Sequence, residues 1–310
     1  MGVAQAVAYA RVCGRWPLLA RRGACSRERM GDPRRHARQL VLPEVGLAGQ
    51  RRLAAARVVI VGCGGLGAPV VAQLAAAGVG ALVLLDDDVV EPSNLNRQTL
   101  FRATEVGERK ATLAAAFARA LAPDVEAVAV VERLTAARAR AIVRDADVVV
   151  DCSDGLPTKY LLNDACVRED RVLIHGAATA WSGQIVVVPG ATGPCLRCLF
   201  PSLPPADTVP TCRTAGIIAP TTGVVGSLQA AAALRLLLGV RPRDDEAGRF
   251  VAVDVRQGGT RTLRFDRDPS CPACGDTPTL PAVRDDDYAL PRCADARDAI
   301  GDAAAAEGGR

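Results

Sequence analysis

Clustered glycines follow a run of β-branched residues in the stretch RVVIVGCGGLG (57–67). Glycine has no Cβ, so the backbone can turn tightly and its N–H groups can approach a phosphate. Gly62 suits a strand-to-helix turn, Gly64 and Gly65 the approach to phosphate, and Gly67 the close packing of a helix on the strand. The positive end of that helix would face the anion. The stretch therefore predicts a nucleotide site for NAD, FAD or ATP.

Polar residues after the next strand favour a nucleoside triphosphate over a dinucleotide. Asp86 ends that strand, where an acid can bind ribose hydroxyls. The pyrophosphate of a dinucleotide is held by a helix end and glycine amides, whereas the larger charge of a triphosphate calls for cationic side chains and a metal. The residues that follow Asp86 supply such side chains: Asn94, Arg97 and Gln98, with Lys110 opening the next helix. Arg97 offers a planar fork to phosphate oxygens and Lys110 a mobile point charge.

A candidate magnesium ligand follows a later strand. Asp154 lies in DCSDG (151–155), directly after the apolar run 147–151. Ligands of parallel sheets bind at the carboxyl ends of the strands, and Mg²⁺ prefers carboxylate oxygens. Asp154 is therefore predicted to hold Mg²⁺ beside the phosphates.

Two Cys-x-x-Cys pairs predict a structural zinc site. The pairs are Cys195 with Cys198 and Cys271 with Cys274, and each presents two thiolates from one tight turn. Since the pairs are far apart in sequence, spacing alone leaves reduced buried thiols or a redox pair as alternatives. A closed four-cysteine site leaves no open position for substrate, so its role would be to pin 271–274 onto the 195–198 loop.

Strands and helices alternate along the middle of the chain. Apolar runs at 57–61, 81–86, 126–131, 147–151 and 172–175 are separated by helix-like stretches at 66–78, 106–121, 135–144 and 156–169. Later strands at 184–188 and 250–255 flank a helix at 223–239. This pattern predicts an α/β fold, a Rossmann-like doubly wound and mostly parallel sheet with a C-terminal antiparallel extension.

Composition excludes several function classes. A net charge of +4 and 3% aromatic residues leave no stacking platform for nucleic acid. The longest apolar run, 230–240, contains Arg235 and is shorter than the ~20 residues that span a bilayer, so no membrane association is expected. Eleven cysteines, an odd count without a secretory signal, favour the reducing cytoplasm.

The sequence divides into a central domain and two tails. Residues 1–33 carry six arginines without apolar periodicity, which indicates a disordered basic leader, a transit peptide, or a true start at Met30. Residues 34–274 form one predicted domain. Residues 275–310 are rich in Ala, Asp and Gly and are expected to be disordered.

Taken together, these motifs resemble the ThiF/MoeB/HesA family of ubiquitin-activating-like adenylyltransferases. The matching stretches lie in the family's order over residues 35–275: RHARQ (35–39), VGCGGLG (61–67), LLDDDVVEPSNLNRQTLF (84–101), VGERK (106–110), DCSDG (151–155), PCLRC (194–198), TCRTAG (211–216), GVVGSLQA (223–230) and CPACG (271–275).

The resemblance implies an activity and a set of site residues. The family uses ATP and Mg²⁺ to adenylate the C-terminal glycine of a small sulfur-carrier protein that ends in Gly-Gly, in thiamine or molybdopterin biosynthesis. By that resemblance, nucleotide, phosphate and Mg²⁺ contacts would come from Gly62, Gly64, Gly65, Gly67, Asp86, Asp88, Asn94, Arg97, Gln98, Lys110 and Asp154. Catalysis by positioning and charge requires no acid–base pair.

The resemblance also implies partners. In the family an arginine of the RxxRQ segment reaches into the partner subunit's site, so Arg38 would make the active unit a homodimer. No sulfurtransferase domain is recognisable after residue 275, so we expect a separate sulfur donor, either a sulfurtransferase or a cysteine desulfurase. Three residues depart from the family pattern, namely His36, Gly155 and Lys159.

The remaining cysteines and histidine divide by setting. Cys212 lies in a Pro-rich stretch (200–220) that is predicted to be a loop over the site, with Arg213 favouring its thiolate. It is a candidate sulfur-transfer thiol, with a passive exposed thiol as the alternative. Cysteines in apolar settings are expected to be inert: Cys63, Cys152 and Cys166. His175 is expected to be a satisfied core histidine.

Two other functions stay open on the sequence. An NAD-dependent oxidoreductase would need a hydride-transfer partner residue, and neither histidine lies in a recognisable one. A non-catalytic homologue that only docks a carrier protein would have no need for Arg38, Arg97, Lys110 and Asp154.

Overall fold

A computed structural model describes residues 31–205, 215–241, 243–280 and 283–288 of the 310-residue chain. The α-helices are α1 (Ala37–Leu40), α2 (Gly46–Ala55), α3 (Gly67–Ala76), α4 (Lys110–Leu121), α5 (Ala136–Val143), α6 (Leu156–Arg168), α7 (Leu196–Leu199), α8 (Ala219–Leu238) and α9 (Arg243–Glu246). The strands are β1 (Arg57–Val61), β2 (Ala81–Leu85), β3 (Glu126–Val130), β4 (Val148–Asp151), β5 (Val172–Thr179), β6 (Ser182–Val188), β7 (Arg249–Asp254) and β8 (Gly259–Arg264). Short 3₁₀ helices lie at Pro33–His36, Pro92–Asn94, Ala103–Glu105 and Asp285–Tyr288.

All eight strands form one sheet in the order β3-β2-β1-β4-β5-β6-β7-β8. Strands β3, β2, β1, β4 and β5 are parallel, with Val59 opposite Val83 and Val149. Strands β6, β7 and β8 continue the sheet antiparallel. The predicted fold class, a mostly parallel doubly wound sheet with an antiparallel extension, is confirmed.

Helices cover both faces of the parallel strands because alternate strand residues point to opposite sides. On one face Val58 and Ile60 belong to the core beneath α3, α4 and α8. On the other face Val59 and Val61 pack with residues of α5 and α6. Strands buried on both faces read as continuous apolar runs, which is why the sequence located them.

Helix α8 is the longest helix and belongs to the core. By length and a mean hydropathy of 1.3 it could cross a membrane. In the fold it packs on α3, β5 and β6 instead, with Thr221, Val225 and Gln229 buried. Its close contact with α3 depends on Gly226, where a Cβ would lie 2.4 Å from the carbonyl oxygen of Leu66. We therefore assign α8 as a core helix of the fold.

Several elements differ from the sequence expectation. Strand β8 is exposed along its whole length and has no apolar run that could have predicted it. Helix α4 begins at Lys110 rather than residue 106, because Val106–Arg109 precede it in an irregular segment with Gly107 at φ +92°. Helix α8 begins at Ala219, so the predicted loop 200–220 ends in a helical turn with Pro220 in its first positions.

Part of the expected disordered tail packs on the domain. Tyr288 is 6% exposed, and its hydroxyl donates to Asp164 Oδ2 on α6 at 2.8 Å. Asp285 Oδ1 accepts the N–H of Ala136 at the start of α5 at 2.7 Å. Residues 283–288, which were expected to be disordered, thus pack on the domain through one buried aromatic ring and two polar contacts. We call residues 283–288 the C-terminal strap.

Candidate functional site

The glycine turn joins β1 to α3 at the carboxyl edge of the parallel strands. Gly62 has φ +94°, and a Cβ there would lie 2.6 Å from the backbone carbonyl of Cys152. A Cβ at Gly67 would lie 2.2 Å from the carbonyl oxygen of Gly62. Both positions therefore require glycine for packing, in addition to any contact with phosphate.

Asp86 fastens the glycine turn to the end of β2. Its Oδ2 accepts the N–H of Cys63 at 2.7 Å, and its Oδ1 accepts the N–H of Asp88 at 2.9 Å. Burial raises the pKa of Asp86, and the two hydrogen bonds oppose that rise. Each oxygen keeps a second lone pair, so the carboxylate can still accept ribose hydroxyls.

Gln98 and Thr222 flank the glycine turn. A Cβ at Gly64 would lie 3.4 Å from Gln98 Nε2, and one at Gly65 would lie 2.9 Å from Thr222 Cγ2 in the first turn of α8. Gln98 is 4% exposed, and its Oε1 has no hydrogen-bond partner in the described part of the chain. A buried acceptor without a partner beside a phosphate-binding turn is what a ligand or a bound water would satisfy.

Asn94 and Arg97 lie on the segment that follows β2. Asn94 is buried, and its side-chain oxygen accepts the N–H of Glu91 at 3.1 Å, so it holds the 3₁₀ helix Pro92–Asn94. Arg97 Nη1 donates to the carbonyl of Ser93 at 2.9 Å and to Asn96 Oδ1 at 3.1 Å. Within the described residues these are the only hydrogen bonds of the guanidinium, which leaves Nε and Nη2 available.

Lys110 places a buried cation at the same edge. Its Nζ lies 2.9 Å from Asp88 Oδ2, and its side chain is 7% exposed against 67% for Asp88. The N–H of Lys110 also donates to the carbonyl of Asp88 at 3.1 Å. Because Asp88 in turn bonds to Asp86, this ammonium is linked to the glycine turn through two carboxylates.

Asp154 lies in the turn between β4 and α6, which packs against the glycine turn. A Cβ at Gly62 would lie 2.8 Å from the backbone nitrogen of Ser153. Asp154 itself is exposed and makes no hydrogen bond or ion pair within the described part of the chain. A free carboxylate at this edge fits the oxygen donors that Mg²⁺ prefers. Gly155 is not required sterically, since a Cβ there would meet nothing closer than 3.8 Å.

A buried charged network lies under the Asp154 turn. Asp151 is 0% exposed; its Oδ2 lies 3.3 Å from Lys159 Nζ and 2.8 Å from His175 Nδ1. Its Oδ1 accepts both the N–H and the hydroxyl of Ser153, at 3.0 and 2.6 Å. Gln229 of α8 donates to the carbonyl of Asp151 at 2.8 Å. The network joins β4, β5, α6 and α8 at the site.

The network fixes the charges of its members. Burial raises the pKa of Asp151, but the ammonium of Lys159 and the hydrogen bond from His175 outweigh burial and lower that pKa to about 2. Burial, together with Lys159, lowers the pKa of His175, so the ring is neutral near pH 7. His175 is thus a satisfied core histidine, as expected, but its partners were missed. The available signal was an acid ending VVVD opposite a histidine ending VLIH on adjacent strands.

The four cysteines of the two pairs come together as predicted. Cys195 Sγ lies 3.6 Å from Cys271 Sγ, Cys198 Sγ lies 3.4 Å from Cys274 Sγ, and all four sulfurs lie within 4.8 Å of one another. Zinc–sulfur bonds of about 2.3 Å in a tetrahedron put sulfurs ~3.8 Å apart, so the cluster fits a zinc ion. Segments 195–198 and 271–274 therefore lie side by side in the fold, although they are far apart in the sequence.

An arginine between the first two cysteines ties the cluster to α6. Arg197 Nε and Nη2 each donate to Asp164 at 2.8 Å, and Nη1 donates to the carbonyl of Pro201 at 2.9 Å. The guanidinium stacks 4.7 Å from the ring centroid of Tyr160. Asp164 also accepts from Tyr288, so the cysteine cluster, α6 and the C-terminal strap share one buried carboxylate.

Arg38 lies at the opposite edge of the sheet from the glycine turn. Its neighbour Gln39 donates to the carbonyl of Ala77 at 2.9 Å, and His36 packs beside Gly78. Residues 77–80 precede β2, whereas the glycine turn and Asp86 follow β1 and β2 at the other edge. The structure therefore does not bring the exposed Arg38 to the site of its own chain.

The other cysteines divide into buried and undescribed. Cys63, Cys152 and Cys166 are buried. Burial raises the pKa of each thiol, which favours the unreactive neutral form. Cys212 and Arg213 lie outside the described residues, so the predicted role of Cys212 stays a prediction.

Comparison with known proteins places this site in context. The ThiF family matches residues 36–273. The adenylyltransferase and sulfurtransferase MOCS3 of Bos taurus is 48% identical over 268 residues, which cover 86% of this chain and 58% of the relative. The chain thus spans a little over half the length of that relative. The sulfur carrier protein adenylyltransferase of Thermus thermophilus is 47% identical over 251 residues, covering 79% of this chain and 92% of the relative.

Solved structures share the fold. The crystal structure of E. coli MccB with ATP superposes with a TM-score of 0.67 at 21% identity, covering 79% of this chain and 75% of MccB. At this identity the likeness extends to the fold alone.

Proposed function

Since this chain belongs to the ThiF family, we propose that it is an adenylyltransferase acting on a small ubiquitin-like sulfur-carrier protein that ends in Gly-Gly. It would use ATP and Mg²⁺ to convert the carrier's C-terminal carboxylate into an acyl-adenylate, with release of pyrophosphate, in a thiamine or molybdopterin type of pathway. The named activity of the T. thermophilus relative supports this, because this chain matches nearly the whole of that protein.

The observation that carries the proposal is the gathering of charge around one glycine turn. Lys110 is linked to the turn through Asp88 and Asp86, Arg97 has free donors on the adjoining segment, and Asp154 offers a free carboxylate. A dinucleotide needs no such set, since a helix end and glycine amides hold its pyrophosphate. A triphosphate with its metal uses all of it.

The chemistry follows from these charges. A carboxylate oxygen of the carrier attacks the α-phosphorus of ATP, an acyl–phosphate bond forms, and the bond to the pyrophosphate oxygen breaks. Arg97 and Lys110 reduce the repulsion between the two anions and hold the charge of the departing pyrophosphate. Mg²⁺ bound through Asp154 would supply further charge neutralisation at the phosphates. Positioning and electrostatics account for the rate, so the mechanism requires no proton transfer by the buried His175.

We further propose that the active unit is a homodimer with Arg38 acting in the partner's site. Arg38 is exposed at the amino edge of the sheet, away from its own glycine turn, so only another chain can receive it. The segment that carries it also exposes apolar side chains, Val41 at 77%, Leu42 at 50% and Leu47 at 53%. Such side chains suit burial against a second copy.

Zinc at the four-cysteine cluster would be structural, since four thiolates close its coordination sphere. The described cysteines are free thiols, in keeping with the proposed cytoplasmic location. The separate sulfur donor and a covalent step at Cys212 stay predictions.

Two measurements test the proposed activity. Isothermal titration with ATP and Mg²⁺ should give saturable binding, and titration with NAD should give none. Pyrophosphate exchange into ATP should then require a carrier protein with an intact Gly-Gly terminus, with the same carrier lacking its last glycine as the control. Binding of NAD in place of ATP would replace the proposal with an oxidoreductase. ATP binding without exchange would leave a non-catalytic docking homologue.

A further inference from the structure

We infer that Lys159 positions Asp154 by fixing, at Ser153, the backbone of the turn that carries it. The inference rests on the proposed function for the meaning of Asp154, but its geometry stands on contacts within the chain. Lys159 lies in the first turn of α6, and its side chain is 5% exposed. Its side-chain hydrogen bonds go to Asp151, Ser153 and Gly176 and not to Asp154 itself, so it acts on Asp154 through the turn.

Lys159 bonds to the residues on either side of Asp154. Its Nζ donates to the carbonyl of Ser153 at 2.7 Å, whereas its backbone N–H makes the ordinary i→i−4 helical hydrogen bond to the carbonyl of Gly155 at 3.2 Å. Nζ also donates to the carbonyl of Gly176 on β5 at 2.7 Å and lies 3.3 Å from Asp151 Oδ2. One side chain thus joins the turn to two strands of the sheet.

The N–H, hydroxyl and carbonyl of Ser153 all have hydrogen-bond partners. Its N–H and hydroxyl both donate to Asp151 Oδ1, and its carbonyl accepts from Lys159. Asp154 follows directly, with its own carboxylate exposed and without a partner in the described part of the chain. A carboxylate that binds a cation has to be held in position without an ion-pair partner of its own. In this turn the hydrogen bonds hold the neighbouring Ser153 and leave the carboxylate of Asp154 free.

An ammonium suits the position of Lys159, and lysine is rare in this chain. Among 38 lysines and arginines there are only two lysines, Lys110 and Lys159, and both are buried. An ammonium donates in three directions from one compact centre, whereas a guanidinium is a planar fork. The acceptors of Lys159 Nζ are three separate groups, on Asp151, Ser153 and Gly176, which suits the ammonium. Its charge also offsets Asp151, which burial would otherwise leave uncompensated.

The test uses variants of the full chain. Lys159→Met removes the donor and keeps the length, and Lys159→Met combined with Asp151→Asn removes both buried charges, so the double variant folds even where the single one does not. Leu162→Ala is the control, because Leu162 is fully buried on α6 and its truncation destabilises the protein without touching the turn.

The first readout is independent of activity. Amide hydrogen exchange of the peptide spanning 152–155 should be at least tenfold faster in the Lys159 variants than in Leu162→Ala. Lys159→Arg should give intermediate protection, since it keeps the charge but not all three bonds. Equal exchange in the Lys159 variants and the control would overturn the positioning role, whether or not the protein adenylates a carrier.

The second readout is the Mg²⁺ dependence of ATP binding by titration calorimetry. Loss of Lys159 should weaken binding in Mg²⁺ by about tenfold, with binding in EDTA changed less than about twofold. Asp154→Asn should show the same loss and add nothing in the Lys159→Met background, because the two act as one unit. Additive losses would overturn the link to Asp154. Absence of ATP binding in the wild type would refute the proposed function instead, while the exchange readout would still decide the positioning role.

Discussion

At the scale of single residues, the glycine turn shows one residue type serving two purposes. Gly67 is required by packing, because its Cβ would lie 2.2 Å from a backbone oxygen that cannot move aside. Gly64 has room for a methyl group, since its nearest neighbour is the side-chain nitrogen of Gln98 at 3.4 Å. The residue pattern G-x-G-G-x-G does not distinguish these purposes, but the contacts do.

We expect Gly64→Ala and Gly67→Ala to fail in different ways. Gly67→Ala should lose about 1–3 kcal/mol of unfolding free energy, because the new methyl overpacks the turn. Gly64→Ala should unfold within about 1 kcal/mol of the wild type yet bind ATP at least tenfold more weakly, since the methyl occupies the approach to phosphate. Denaturant unfolding and calorimetry measure the two quantities. Gly223→Ala, where a Cβ meets nothing within 4 Å, is the control. Unchanged ATP affinity in Gly64→Ala would contradict the assigned contact.

The buried carboxylate of Asp151 predicts how stability depends on pH. Its folded pKa of about 2 is below its ordinary 3.8, so it stabilises the fold fully above pH 4 and loses that contribution as pH falls toward 2. The contribution is about 2 kcal/mol at neutral pH. His175, whose pKa is lowered from 6.5, adds a loss that begins below pH 6.5. Unfolding free energies from pH 7 to 2 should show both losses.

Asp151→Asn separates this effect from general acid sensitivity. The variant should be about 3–5 kcal/mol less stable at pH 7, because Lys159 is left as an unpaired buried charge. It should then lose less stability than the wild type between pH 4 and 2. Asp276→Asn, which removes an exposed partner of Arg267, should shift stability by less than about 1 kcal/mol and keep the wild-type pH profile. A wild-type acid profile in Asp151→Asn would be inconsistent with this assignment.

At the scale of elements, the C-terminal strap holds the cysteine cluster through a shared carboxylate. Tyr288 and Arg197 both donate to Asp164, and Arg197 lies between two of the cysteines. The strap therefore contributes to the order of the cysteine cluster, from which residues 275–282 separate it in the chain.

Tyr288→Phe should weaken the cluster without removing a cysteine. Loss of the hydroxyl should cost about 1 kcal/mol, and zinc should be lost to a chelator about fivefold faster than from the wild type. Elemental analysis should first give one zinc per chain, and a metal-sensitive dye then follows release. Asp286→Asn, at an exposed strap position, is the matched control and should release zinc at the wild-type rate. Equal rates in both variants would separate the strap from the cluster.

The strands around the site that sequence reasoning located share one physical property, which is burial on both faces. β1, β2 and β4 read as unbroken apolar runs, and the turns after them carry the expected Gly62, Asp86 and Asp154. β8 was missed because its residues face solvent and carry no pattern. The Asp151–Lys159–His175 network was missed because its members are dispersed and become neighbours only through strand order. The C-terminal strap was missed because a single buried Tyr288 gives no periodicity.

At the scale of the whole molecule, the placement of Arg38 divides the proposed site between two chains. The glycine turn, Lys110 and Asp154 lie at one edge of the sheet and Arg38 at the other. Arg38→Ala should therefore lower pyrophosphate exchange by about one to three decades, comparable to the loss of an arginine finger, with the fold intact.

Mixing two impaired variants tests that division. Arg38→Ala and Lys110→Ala should each be strongly impaired alone, and after subunit exchange activity should rise to about a quarter of the wild-type exchange activity. The mixed dimer rebuilds one complete site, since one chain keeps Lys110 and its partner keeps Arg38. The control for subunit exchange itself is a mixture of Arg97→Ala and Lys110→Ala. Both residues belong to the chain that carries the glycine turn of a given site, so the mixed dimer has no complete site. Mixing should therefore restore no activity. No recovery in the first mixture, with dimers verified by native mass spectrometry, would place Arg38 outside the partner's site.

The burial of both lysines bears on self-acylation, which is the reaction of the activated product with the protein's own amines. An acyl-adenylate is attacked readily by primary amines, so a protein that makes one at its surface risks being acylated by its own product. This chain presents no exposed lysine amine, since Lys110 and Lys159 are 6% and 4% exposed and no third lysine exists in the sequence. Attack by the amines of these two lysines would then be disfavoured, and the activated carrier would be left for its intended acceptor.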